Sequence, residues 1–185
     1  PFRVKFSKKF KNRYDYWKKT EFSKKQWQQI INFCKKKKII FATSPFSLEA
    51  VKFMRKLGCN NWKIGSGEAL SKKIMLEIFK KKNDGFIVST GMSTWSEISN
   101  NYQFIKRKKD GNFAILQCTT EYPSNFKNIG LNVIKQMKKK FKCKIGLSDH
   151  SGSVFPSLAA LSIGAQVIEL HICDSKKGHG PDNSS

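Results

Sequence analysis

Lys144-Ile145-Gly146-Leu147-Ser148-Asp149-His150 and, starting 23 residues later, Val167-Ile168-Glu169-Leu170-His171 are short apolar runs that end in ionisable side chains. Such an interval is too long for a hairpin and suits a strand, a helix and the turns leading to the next strand. The same pattern extends outward through the chain. Runs at 39–43, 62–66, 86–90 and 113–119 precede these two, and successive starts lie 23, 24, 27, 31 and 23 residues apart. Near-continuous apolarity suits strands covered on both faces, as in a parallel sheet. Every run closes on polar side chains: Thr43-Ser44, Ser66-Gly67-Glu68, Ser89-Thr90, Thr119-Thr120, Ser148-Asp149-His150, and Glu169 with His171.

The intervening segments carry helix signals. Ser23 and Gln26 form a capping box, with Phe22 and Trp27 placed as a hydrophobic staple, and Thr94 with Glu97 forms a second box. Ser71 can cap a helix that buries Ile74, Met75, Ile78 and Phe79, and Gly58 is a stop after Leu57. Six βα units fit either a doubly wound sheet or part of a TIM barrel. An open sheet gathers its chemistry at one switch point, whereas a barrel spreads it over the C-terminal ends of many strands. The polar residues here close all six runs, and no G-x-G-x-x-G is present. The expected fold is therefore an incomplete TIM (β/α)8 barrel of about six βα units. A whole barrel takes eight strands and roughly 250 residues, so the first two strands are expected to be missing.

Composition narrows the function. The 185 residues carry 36 basic and 13 acidic side chains, a net charge of +23. Only Arg3, Arg13, Arg55 and Arg107 are Arg. Base readers and bidentate phosphate clamps favour Arg, so the Lys excess reads as a solvated surface, with a basic polyanion-binding or nucleic-acid-binding module as the alternative. A positive field also attracts an anionic substrate. No stretch approaches the ~20 apolar residues of a membrane span. Five Cys form neither a C-x-x-C motif nor an even framework, which fits reduced thiols in a cytoplasmic protein. Both ends look cut, and a fragment that is inert when taken alone is a further alternative.

His150 and His171 end consecutive strands, 21 residues apart, so both imidazoles can meet at one mouth. Two neutral His with open positions suit a divalent cation such as Mn²⁺, Zn²⁺ or Co²⁺. Asp149 and Glu169 can support that pair or join it as ligands. Cys173 reads as a soft ligand or a packed thiol, and His179 as an exposed residue of a Gly-rich tail. Lys63, unusual inside an apolar strand, and Ser66 offer donors to a phosphate or carboxylate beside glycines that allow close approach. Glu68 is placed to take or give a proton. The hydroxyls of Thr43, Ser44, Ser89, Thr90, Thr119, Thr120 and Ser148 form a rim able to cradle an anion, or cap the helices that follow. Tyr122-Pro123 opens a long loop that can carry a substrate contact.

Seven stretches in order, Phe41-Ala42-Thr43-Ser44-Pro45-Phe46, Lys63-Ile64-Gly65-Ser66-Gly67-Glu68, Ser89-Thr90-Gly91-Met92, Gln117-Cys118-Thr119-Thr120-Glu121-Tyr122-Pro123, Gly146-Leu147-Ser148-Asp149-His150, Glu169-Leu170-His171 and Gly180-Pro181-Asp182, resemble the successive signatures of the N-acetylneuraminate (sialic acid) synthase family, which includes the legionaminate and pseudaminate synthases. The resemblance runs from about residue 20 to the C-terminus. It implies that residues 1–185 are part of a TIM-barrel synthase domain, with a C-terminal antifreeze-like domain absent from this chain and a homodimer for the full-length protein. It implies condensation of phosphoenolpyruvate with an N-acylated hexose, releasing phosphate and forming a nine-carbon 2-keto sugar acid. By position, His150 and His171 would hold the metal, Mn²⁺ foremost with Mg²⁺ or Co²⁺ as substitutes. Ser44, Lys63, Ser66, Thr120 and Ser148 would bind phosphoenolpyruvate, Glu68 would handle a proton, and Tyr122 and Asp182 would contact the sugar. Expected partners are these small molecules and a second copy, with neither nucleic acid nor membrane among them. Thr120 and Asn183 depart from the residues common in the family at those positions.

Overall fold

The computed structural model describes residues 12–109, 112–173, 175 and 185. Helices α1 (Arg13–Thr20), α2 (Lys24–Lys36), α3 (Leu48–Lys56), α4 (Lys72–Phe79), α5 (Trp95–Lys106), α6 (Leu131–Lys140) and α7 (Phe155–Ser162) surround strands β1 (Asn61–Ile64), β2 (Gly85–Ser89), β3 (Phe113–Cys118), β4 (Lys144–Asp149) and β5 (Val167–Leu170). All five strands are parallel and lie side by side in chain order.

The helix starts follow from local chemistry. At α2, Ser23 Oγ accepts from the Gln26 N–H while Gln26 Oε1 accepts from the Ser23 N–H, and the Phe22 and Trp27 rings meet edge-to-face at 5.1 Å. Thr94 and Glu97 reciprocate in the same way at α5. Gly58, at φ +91°, ends the turn after α3 in a left-handed conformation that glycine adopts without strain. Ser71 does stand at the N-cap of α4, but its hydroxyl makes no capping bond because its ψ of 81° is not the extended cap geometry.

Among the described residues the expected count of six units is corrected to five strands and one bridge. The 39–43 run contributes a single parallel contact, Thr43 with Trp62, in which Thr43 N–H donates to the Asn61 carbonyl and the Thr43 carbonyl accepts from Lys63 N–H. The Ile39 N–H is still bonded to the Cys34 carbonyl of α2, and Lys38 takes a left-handed turn at φ 58°. The chain leaves the helix too late for more than Thr43 to reach the ladder. Helix α1 had no counterpart among the expected elements.

Register divides the sheet into two chemically distinct faces, because side chains alternate along each strand. On one face, Trp62, Phe86 and Phe113 align in one row, and Ile64, Val88, Ile115 and Ile145 in the next. These residues are buried and pack with Ile31, Val51, Met75, Ile78, Ile105 and Ile134 of the helices. The opposite face carries Lys63, Ile87 and Ala114, then Ser89, Leu116 and Gly146, then Cys118, Ser148 and Glu169. There is no room for a side chain at Gly146, where a Cβ would fall 2.0 Å from the Val167 carbonyl oxygen and 2.8 Å from Leu116 Cδ2.

This second face is concave. Lys63 Nζ on β1 lies 3.1 Å from Glu169 Oε1 on β5, although three strands separate them. In a flat sheet the two strands would be roughly 19 Å apart, beyond the joint reach of a Lys and a Glu. The ion pair spans the hollow of a half-barrel.

The other end of the strands is fastened by Asp84. Its Oδ2 accepts from Arg55 Nη1 at 2.7 Å and from Trp62 Nε1 at 2.8 Å, and its backbone carbonyl accepts from the buried Lys109 ammonium. Arg55 also donates to the Ile78 carbonyl, tying α3 to α4. Buried polar groups need such partners.

Candidate active site at the strand ends

The chemistry sits where the concave face meets the C-terminal ends of the strands. One residue beyond the last registered pair of β4 and β5, Asp149 with Leu170, stand His150 and His171. Their ring centroids are 4.9 Å apart at 67°, and Tyr122 lies against both, at 4.2 Å from His150 and 5.8 Å from His171. His150 is buried. Its Nδ1 is 2.9 Å from the Thr119 carbonyl, which can only accept, so Nδ1 carries a proton and Nε2 is the nitrogen that gains or loses one as the ring titrates. The loop bearing Tyr122 is fixed to the same residue, since Ser124 N–H donates to the His150 carbonyl.

Cys118 occupies the floor between these groups. It hydrogen-bonds His150 and Ser148 and receives the Ser66 hydroxyl at 3.5 Å. Burial raises the Cys118 thiol, but the bonds from His150, Ser66 and Ser148 and the charge of His150 outweigh it and hold the thiol below its ordinary value. At His150 burial disfavours the imidazolium, yet Cys118, the Thr119 carbonyl and the charge of Glu169 shift the ring upward overall. Ser66 Oγ also accepts from the Gly91 N–H at 3.0 Å, so the ends of β1, β2 and β3 converge on it. A Cβ on Gly91 would stand 2.9 Å from the Cys118 carbonyl oxygen and 3.0 Å from Thr120 Cγ2. Thr120 reaches the Gly91 carbonyl at 3.4 Å. Ser89, 1% exposed on the concave face, has a hydroxyl with no hydrogen-bond partner among the described residues.

Of the residues read from sequence, the structure draws Lys63, Ser66, Thr120, Tyr122, Ser148, His150 and His171 into one contiguous cluster. Glu68 lies half-buried in a short 3-10 turn over Ser66–Glu68, and Ser44 is exposed just past the Thr43 bridge. Asp182 and His179 lie outside the described residues. Asp149 belongs to the opposite face: Oδ2 accepts from Ser157 Oγ at 2.8 Å and Oδ1 from the Ser151 N–H at 2.9 Å, so it anchors α7 and supports neither imidazole directly. Glu169 pairs with Lys63, and its charge also acts on His150. Cys173 is exposed and not packed. Cys118 had been given no role. Its signal was available in the parity that places Ala114, Leu116 and Cys118 on one face of β3.

A curled parallel α/β sheet with polar groups gathered at the C-terminal rim of its concave face is the architecture of a βα-barrel enzyme domain. The chain belongs to the NeuB family, which it matches over residues 1–185. It is 34% identical to the N,N'-diacetyllegionaminic acid synthase of Campylobacter jejuni, over all of this chain and 56% of that protein. It is 33% identical to the human N-acetylneuraminate-9-phosphate synthase, over 89% of this chain and 46% of that protein. Among solved structures, the N-acetylneuraminic acid synthetase of Leptospira borgpetersenii in complex with citrate superposes with a TM-score of 0.84 at 29% identity. That match covers 90% of this chain and 58% of that one. The chain spans about half the length of the curated relatives it matches.

Proposed function

We propose that the whole protein condenses phosphoenolpyruvate with an N-acylated hexose, either N-acetylmannosamine or a diacetamido-trideoxyhexose, to give a nine-carbon sialic-acid-type 2-keto acid and phosphate. In this reading the half-barrel is completed to eight strands and the protein works as a homodimer in the cytoplasm. The observation that carries the proposal is the approach of His150 and His171. Two imidazoles bonded to one ion at about 2.0–2.2 Å, at tetrahedral to octahedral angles, place their ring centres roughly 4.5–5.3 Å apart. The observed 4.9 Å falls within that interval. The Thr119 carbonyl supplies the orienting bond that metal-bound histidines ordinarily have on the far nitrogen. Among the described residues no group of three or more His, Cys, Asp or Glu is placed to hold a metal, so the pair alone carries the reading.

A divalent cation held there, Mn²⁺ foremost with Mg²⁺ or Co²⁺ as substitutes, would act as a Lewis acid on the sugar aldehyde. The chain's own groups do the rest. Lys63, Ser66, Ser148 and Thr120, with Ser44 at the rim, bind the carboxylate and phosphate of phosphoenolpyruvate, and Ser89 adds a buried donor beside them. An incoming anion has to compete with Glu169 for Lys63. Tyr122, stacked on His150, and Asp182 contact the sugar, and Glu68 handles a proton near the attacking carbon. The test measures phosphate release by the full-length protein with phosphoenolpyruvate and each acylamino-sugar. His150→Ala and His171→Ala, alone and together, are expected to abolish it, and turnover by the double variant would refute the proposal.

A further inference from the structure

The Lys excess is not scattered. In a parallel βα layer every helix finishes at the N-terminal ends of the strands, opposite the mouth. The basic runs at 35–38, 80–82, 106–108 and 138–144 all fall at this end, on the last turns of α2, α4, α5 and α6 and the links that follow them. By contrast, the strand-to-helix connections at the mouth (44–47, 65–71, 90–94, 119–130 and 150–154) hold a single Lys, Lys127, and the first turns of the helices add only Lys24, Lys25, Lys72 and Lys73. A surface that merely mirrored a Lys-rich composition would show both ends alike. Helix dipoles favour cations in last turns, worth about a factor of two to five each, but they do not remove Lys from five loops. Among the described residues acidic groups do little to offset the charge at this end. Asp84 is buried against Arg55 and Trp62, and Glu77 pairs with Lys80.

We infer that this basic end docks on an anionic bilayer surface, leaving the mouth turned toward solvent. Two observations favour a bilayer over a nucleic acid. The charges are on Lys, a point charge suited to lipid headgroups, and hardly at all on the Arg that grips phosphodiesters. They sit on the ends of successive helices, which make a broad face rather than a groove for a rod. The contact lies on the surface and needs no span; no helix among the described residues is long and apolar enough to cross a membrane.

Each Lys near an anionic leaflet strengthens binding about fivefold. The test is co-sedimentation of the full chain with phosphatidylcholine vesicles, with and without phosphatidylserine, at low and high salt. Binding is expected only with phosphatidylserine and is reversed by salt. The variant Lys81→Gln/Lys82→Gln/Lys108→Gln, which alters exposed side chains at the basic end, should weaken binding about a hundredfold. A matched variant, Lys24→Gln/Lys25→Gln/Lys127→Gln, removes the same charge from the mouth end and should weaken it by less than about fivefold. Equal losses in the two variants, no binding to phosphatidylserine vesicles, or tighter binding to a duplex oligonucleotide than to vesicles at the same salt would each overturn the inference.

Discussion

Replacing Lys63 with Met and Glu169 with Gln, singly and together, converts the curl of the sheet into a measurable energy. The two groups meet at 3.1 Å from strands β1 and β5, with side-chain exposures of 15% and 33%. At that separation Coulomb attraction is about 1.3 kcal/mol in bulk water and about 5 kcal/mol at an effective dielectric of about 20. Partial desolvation and the fixing of two long side chains offset most of the larger value, leaving about 1–2 kcal/mol of coupling. The assay is urea unfolding of the four proteins of a double-mutant cycle, read by Trp fluorescence. Independent distant sites add to within about 0.3–0.5 kcal/mol, so coupling above that range requires contact across the hollow. Coupling below it would mean that β1 and β5 do not face each other and that the concave site is wrongly drawn.

Asp84→Ala should cost about 3–5 kcal/mol in the same unfolding assay, because Arg55 and the Trp62 indole N–H lose a buried acceptor, and a loss under about 1 kcal/mol would refute that account. Asp84→Asn keeps an acceptor and should recover part of the loss. Burial pushes the Cys143 thiol up to about 12, so at about pH 8 it should resist iodoacetamide while exposed Cys173 is alkylated first; peptide mapping that found Cys143 modified first would contradict this.

Much of the fold was legible because it rests on short-range chemistry. The capping boxes at Ser23 and Thr94, the glycine stop at 58 and the recurrence of apolar runs each act within a few residues. The 39–43 run misled because apolarity marks what a segment can bury, not when the chain is released from the preceding helix. In the site, Ser148 and His150 could be paired from parity alone. The same parity turns Asp149 away, a reading open to the sequence but not drawn from it. The partner of Glu169 was out of reach. Lys63 lies 106 residues earlier in the chain, and nothing in either strand states how far the sheet curls between them.

Asp149 gives the helix layer a mechanical grip on the mouth. Its carboxylate is bound to Ser157 of α7, while the next residue along the same backbone presents the buried imidazole of His150. The Asp149–Ser157 bond therefore links α7 to the backbone of His150 through one peptide unit, from the outer face of the sheet rather than through the hollow.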